Sequence, residues 1–362
     1  MIGSRLIEIL GQLNSTRCEN LLNWIKPTHQ FTWLFLVFAI CLVCVLVVKT
    51  VFTRGQFAWE KSREISTCSH QRRNVEHPND EFFKQWLVGL TDGDGSFSIA
   101  NQNGKWSLAF KISLSVYNLR ALYYIKSQLG YGSINVEKAA QIAHFRIRNR
   151  KVLINVIFPI FDKFPLLTTK HYNYDRFKQV CFILEDNTLS KAHKDERIQS
   201  LLAIVPPSDY LSPAWNKVSL PLEDANQAKL VISKGWLVGF VEAEGSFYLT
   251  VKDPTRIAHG FGISQKLDSV VLEGIRIILH IPTVVKYKIS YYLLDTTNSR
   301  AVGNIITYFT GTIKGMKAVE LKIWARSFNA KGDYAKLLKV QSQLRSLRKL
   351  RPQTALFESH ES

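Results

Sequence analysis

Four acidic residues stand in a pattern that ordinary turn chemistry does not explain. Residues 86–98 read WLVGLTDGDGSFS and residues 236–248 read WLVGFVEAEGSFY, so Asp92 and Asp94 recur as Glu242 and Glu244, 150 positions later. One DGDG after an apolar run is usually a turn. The same block twice, with Trp, Leu, Val, Gly, Ser and Phe in register, marks a tandem duplication. Leu87, Val88 and Leu90 make the first segment apolar nearly all round, the pattern of a buried helix, and Leu237, Val238 and Phe240 repeat it. Gly89 and Gly239 leave each helix a face without a side chain, so the two helices are expected to pack together. Their C-terminal ends would then bring Asp94 and Glu244 side by side, where the helix termini are already electronegative. Two carboxylates so placed repel unless a cation lies between them. Hard oxygen donors suit Mg²⁺, or a similar divalent ion such as Mn²⁺, with phosphate and water as its other ligands.

The elements needed to position these acids follow from periodicity. A helix capped by Asn79 or Asp80 is expected to run to about Thr91. Strands at 96–100 and 105–115 flank a turn at 101–104. Asn118 is expected to cap a helix ending at Gly130. Strands at 131–137 and 142–149 follow, then a helix over 151–161 stopped by Pro159 and Pro165. The second half repeats this αββαββα unit from Ser233 to about residue 330. The expected class is α+β: two four-stranded antiparallel sheets, each with helices on one face. The boundaries read as an N-terminal extension over 1–78, a first half over 79–186, a linker over 187–232, a second half over 233–352 and a tail over 353–362.

Composition narrows the partners. Lys and Arg number 47 against 29 Asp and Glu, a net charge of +18, so the expected partner is a polyanion: DNA, RNA or an anionic membrane. An apolar content of 46% excludes wholesale disorder. Cys18, Cys41, Cys44, Cys68 and Cys181 form no paired CxxC set, which argues against zinc ribbons and disulfide scaffolds. Residues 31–48, FTWLFLVFAICLVCVLVV, carry no charge and reach the lower limit for a membrane-spanning helix. They read as a membrane anchor or as a membrane-protein fragment fused ahead of the functional body. A buried hydrophobic helix is the alternative.

The blocks Leu87–Gly95 and Leu237–Gly245, each preceded by Trp and followed by Ser-Phe, resemble the signature of the LAGLIDADG homing endonucleases in their single-chain, two-motif form. The resemblance covers roughly residues 80–350. It implies a saddle of two sheets in the major groove of a long DNA site, with both strands cut across the minor groove by a monomer. It implies that the last acid of each block, Asp94 and Glu244, binds the divalent metal, with the carbonyls of Gly93 and Ala243 as further ligands. Asp92 and Glu242 are then structural, closing helix and turn. The family also places a basic residue late in each half, near the scissile phosphate. Lys170 and Lys317 fit; each lies seven residues before an aromatic, Phe177 and Trp324, and this favours Lys317 over Lys314. A polar residue on the second strand helps to position solvent in such proteins. Gln265 fits that place, but its counterpart is Leu114, which cannot hydrogen-bond, so the two sites are expected to differ unless Ser113 or Ser115 substitutes.

Outward strand positions are basic and polar. Lys105, Lys111, Arg146, Arg148 and Arg150 in the first half, and Lys252, Lys286 and Lys288 in the second, are expected to read DNA, with the three arginines on one strand face. Arg256 and the basic segment 314–351 are expected to hold phosphates. The leading expectation is a Mg²⁺-dependent, site-specific DNA endonuclease. The rival is an RNA maturase of the same fold that binds group I intron RNA. The resemblance also implies an organelle, mitochondrion or plastid.

Overall fold

The computed structural model describes residues 78–349. The apolar stretch 31–48 and the tail beyond 349 lie outside them. Among the described residues no helix is long and apolar enough to cross a membrane.

Each half is built around one antiparallel sheet. In the first, α1 (Pro78–Asp94) leads into β1 (Gly95–Gln102), β2 (Lys105–Ser115), α2 (Leu119–Leu129), β3 (Ser133–Glu137) and β4 (Ile142–Ile147). A helical stretch opening at Arg150 ends as α3 (Phe158–Lys163), followed by α4 (Lys170–Glu185) and α5 (Lys191–Ala203). After α6 (Ala225–Val231), the second half runs α7 (Lys234–Glu244), β5 (Gly245–Asp253), β6 (Arg256–Gln265), α8 (Ser269–Ile278), β7 (Lys286–Lys288), β8 (Tyr291–Thr296), α9 (Ser299–Phe309), α10 (Lys317–Ser327) and α11 (Tyr334–Lys349). The strand orders are β1-β2-β4-β3 and β5-β6-β8-β7, the same path twice. This is the α+β duplication that the repeat implied.

Strict alternation divides each sheet into two faces. Along β2, Leu108, Phe110, Ile112 and Leu114 are buried, while Lys105, Ser107, Lys111 and Ser113 point the other way. Helices cover the apolar side. Phe97 and Phe110 meet Phe161 there, and Phe247 and Phe261 meet Phe309 in the second half. Each fully buried ring of this kind contributes about 1.5–3 kcal/mol. Ser233 starts α7 by accepting a hydrogen bond from the Trp236 backbone N–H, a side-chain cap.

Four local expectations are corrected. The helix leading to the first motif does not stop at Thr91 but runs through Gly93 to Asp94. β4 ends at Ile147, because the Asn149 side chain accepts from Val152 N–H and starts a helix. Arg150 therefore lies at a helix start, paired with Glu185, and not on a strand with Arg146. That helical stretch includes a π turn at Leu153–Ile157 and continues past Pro159 to Lys163, the proline falling just after the π turn where the regular ladder is already interrupted. Asn118 precedes α2 but makes no side-chain cap there.

The region 187–232 is itself structured. Ser190 caps α5 through His193 N–H, and Trp106 donates its indole N–H to Asp195 of α5 at 2.6 Å. In the second half Gln341 of α11 donates to the Leu249 carbonyl at 2.8 Å. Each half thus closes with a helix pair, α4–α5 and α10–α11.

Candidate functional site

The two motif helices run side by side. A Cβ added to Gly89 would fall 1.9 Å from the Trp236 carbonyl oxygen, and one added to Gly239 would fall 2.0 Å from that of Trp86. Real Cβ atoms never come so close, so only glycine permits this approach. Four residues on, a Cβ on Gly93 would meet that of Ala243 at 2.2 Å and Glu244 Oε1 at 3.4 Å. Contacts that advance together along both chains make the helices parallel, and both C-termini end in one place.

The earlier acids lock this arrangement. Asp92 Oδ2 accepts from Trp236 Nε1 at 2.7 Å and from Leu167 N at 2.8 Å. Its Oδ1 accepts from Thr168 N and Thr168 Oγ1. Glu242 answers from the other side, accepting from Trp86 Nε1 at 3.3 Å and from the backbone N–H groups of Lys314 and Gly315. Each acid clips its own half's loop to the partner half's tryptophan. Both are 2% exposed. Burial pushes the Asp92 carboxyl up to about 6, against the pull of its donors and Lys170. Burial raises Glu242 as well.

The clipped loops deliver two lysines. Lys170 begins α4, and its Nζ donates to the carbonyls of Thr91 at 2.9 Å and Gly93 at 2.7 Å. Lys317 begins α10, and its Nζ donates to Val241 at 3.0 Å and Ala243 at 3.1 Å. Each ammonium thus sits on the open carbonyls of one helix end, where a positive charge is favoured. Lys314 lies elsewhere, its ammonium over the rings of Tyr124 and Phe82. Burial lowers the Lys170 pKa, opposed by Asp92, Asp94, Glu244 and Asp268.

Asp94 and Glu244 end their helices beside these lysines. Burial raises both carboxyls; Asp94 raises Glu244 further, and Lys317 and Lys170 lower both. The site holds two carboxylates, two ammonium groups and four main-chain carbonyls. Among the described residues no group of three or more His, Cys, Asp or Glu side chains could hold a metal. The oxygen atoms available there are the Asp94 and Glu244 carboxylates and the second lone pairs of the Gly93 and Ala243 carbonyls. These are all hard oxygens, and they fit Mg²⁺ or Mn²⁺ completed by water and phosphate.

The two halves brace each other by a second pair of crossed contacts. Asp268 accepts from Thr169 N at 2.9 Å and from Thr169 Oγ1, just ahead of Lys170. Its counterpart Asn118 accepts from Met316 N at 2.8 Å, just ahead of Lys317. Burial raises the Asp268 pKa, opposed first by the Thr169 donors and then by Gln265 and Lys170. Leu114 lines a cavity of about 150 Å³ with Asp94 and Lys317. The sequence did not single out Asp268, Trp86 or Trp236 for these roles. The repeated tryptophans were the available signal.

The outward sheet faces carry part of the expected basic set. Lys111 stands opposite Arg146, with Ser96 and Ser133 completing the row across four strands. Lys105 and Arg148 are exposed, Arg148 in the loop after β4. Lys252 is exposed on β5, and Lys286 and Lys288 face outward on β7 opposite Leu293 and Tyr291. Arg150 does not join them, being engaged by Glu185. Arg256 pairs with Asp253 at the β5–β6 turn.

Residues 87–181 and 237–328 match the family model described as LAGLIDADG endonuclease. A probable intron-encoded endonuclease, Cox1-I1b of Schizosaccharomyces pombe, is 36% identical over 95% of this chain and 86% of its own length. An uncharacterized mitochondrial protein, RF1 of Saccharomyces cerevisiae, is 32% identical over 56% of this chain and 39% of its own. The fold resembles that of the LAGLIDADG meganuclease I-CpaMI bound to uncleaved DNA, with a TM-score of 0.59, 20% identity, and coverage of 73% of this chain and 98% of that one.

Proposed function

The chain belongs to the LAGLIDADG endonuclease family, and we propose that it is a homing endonuclease that hydrolyses both strands of a long double-stranded DNA site. The observation that carries this reading is the meeting of Asp94 and Glu244 at the paired ends of α1 and α7, with Lys170 and Lys317 on the adjoining carbonyls.

Asp94 and Glu244 would hold the divalent cation, aided by the Gly93 and Ala243 carbonyls. When bound, that ion supplies Lewis-acid polarisation of the phosphate and a more acidic water. Lys170 and Lys317 place positive charge where the phosphorane oxygens develop negative charge. Gln265 ends β6 beside Asp268 and would help to position a water. Lys105, Lys111, Arg146, Arg148, Lys252, Lys286 and Lys288 supply phosphate and base contacts, and salt should weaken binding strongly. The halves 79–186 and 233–352 contribute one motif each, so one copy furnishes both sites and acts as a monomer.

The Saccharomyces relative is named as mitochondrial, which favours the mitochondrion over the plastid for this chain. The test is cleavage of a plasmid library carrying randomised inserts, with Mg²⁺ and with a chelator. Linearisation at one recurrent sequence, only with the metal, is the expected outcome. Retention of supercoiled plasmid throughout would overturn the reading.

A further inference from the structure

The two reaction centres are not equivalent, and the structure contains a compensating feature at the poorer one. Where one centre has Gln265, the other has Leu114, whose side chain cannot direct a water. The neighbouring residue Ser113 lines the same cavity as Asp94 and Lys317. Its hydroxyl lies 2.9 Å from His144 Nδ1, directly across the β2–β4 ladder. The other ring nitrogen, His144 Nε2, lies 3.2 Å from Glu137 Oε1 on β3. His144 is 7% exposed, and three adjacent strands contribute the three residues in order.

The chain of bonds suits one polarity. An ionised carboxylate only accepts, so Glu137 takes the Nε2 proton and fixes the imidazole tautomer. In the tautomer that carries its proton on Nε2, Nδ1 accepts a hydrogen bond from the Ser113 hydroxyl. The lone pairs of Ser113 Oγ are then free to accept, in a residue that lines the cavity. The second centre reaches the same outcome by another route. Gln265 sits beside Asp268, whose carboxylate can accept from the amide N–H and leave the amide oxygen for a water. A water that must attack phosphorus needs acceptors for its protons, so that a lone pair faces the reaction.

The second half also shows what the first would be without the device. Ser264 stands opposite Leu293, where Ser113 has His144. Lys288 occupies the register position of Glu137. Each half therefore has one polar route and one leucine, exchanged between the two positions.

We propose that Ser113 is the solvent-positioning residue of the Asp94–Lys317 centre, held by His144 and Glu137, and that it replaces the function Gln265 serves in the other centre. The proposal rests on the endonuclease reading above. His144 and Glu137 are positioning residues that act through Ser113. A purely structural cross-strand bond would tie the strands together without favouring either cut.

The test is single-turnover cleavage by the full chain with Mg²⁺. The substrate is the duplex recovered from the randomised library, end-labelled on one strand or the other. Ser113→Ala should slow one strand by on the order of tenfold to a hundredfold, leave the other strand's rate and the DNA affinity unchanged, and accumulate nicked duplex. His144→Ala and Glu137→Gln should slow the same strand. Ser113→Thr should retain the rate, and Leu114→Gln placed in the Ser113→Ala background should restore it. Equal slowing of both strands, loss of affinity alone, or an unchanged rate in Ser113→Ala would overturn the proposal while leaving the endonuclease reading intact. A parent protein that cuts neither strand would overturn both.

Discussion

Gly89 lies flat against the carbonyl of Trp236, so close that a single added carbon would fall 1.9 Å from that oxygen. Gly239 meets Trp86 in the same way at 2.0 Å. Gly89→Ala or Gly239→Ala should force the helices apart and cost about 1–3 kcal/mol or more. Urea unfolding measures the loss. Cleavage should fall more steeply than stability, because separation of the helices also separates Asp94 from Glu244.

Asp94→Asn and Glu244→Gln each remove an anionic oxygen donor with little change of shape. Cleavage should drop by roughly a hundredfold or more, while DNA binding in calcium persists. A variant that cuts both strands at the parent rate would refute the metal assignment.

Lys170→Met and Lys317→Met remove a charge and also leave two helix-end carbonyls without a donor. Each should slow cleavage by about a hundredfold and lower the melting temperature. Loss of DNA affinity alone would reassign the lysines to phosphate anchoring.

Asp92→Asn places an amide group where one carboxylate oxygen accepts from both Leu167 N and Trp236 Nε1. Its oxygen can keep that pair only by turning the NH2 toward Thr168 N, which also donates to Asp92, so at least one buried backbone donor is left unmatched in either orientation, at a cost of about 1–3 kcal/mol. Thermal melting of the variant beside Trp236→Phe should show that the two effects do not add.

His259 gives the protein an acid limit. It is buried among Trp324 and Phe328 with Nε2 against the Ser327 hydroxyl, and burial drops its pKa from 6.5 to about 4. Between these values the unfolded chain binds a proton that the folded chain refuses. This contribution to stability is full above pH 6.5 and is lost as the pH falls toward 4. Melting temperatures across that window should fall less in His259→Asn than in the parent.

Much of the fold was legible because the duplication gives two readings of one plan. The close approach at Gly89 and Gly239, the sheet alternation along β2 and the start at Ser233 all follow from spacing. Arg150 was misread because strand alternation continues in sequence past the point where Asn149 starts a helix. The charged α5 was hidden because its stretch is polar and followed by Pro206 and Pro207. The partners of Asp92, Asp268 and Ser113 lie 31 to 144 positions away. Such pairings depend on strand register and helix docking, which no local pattern carries.

Lys170 and Lys317 do double service, since the ammonium groups proposed to meet phosphate also close the ends of the two central helices. The seam between the halves and the reaction centre are therefore one structure. Warming that merely loosens the seam would scatter the catalytic charges while both sheets stay intact. Cutting should accordingly fade at temperatures where the protein still shows its full secondary structure.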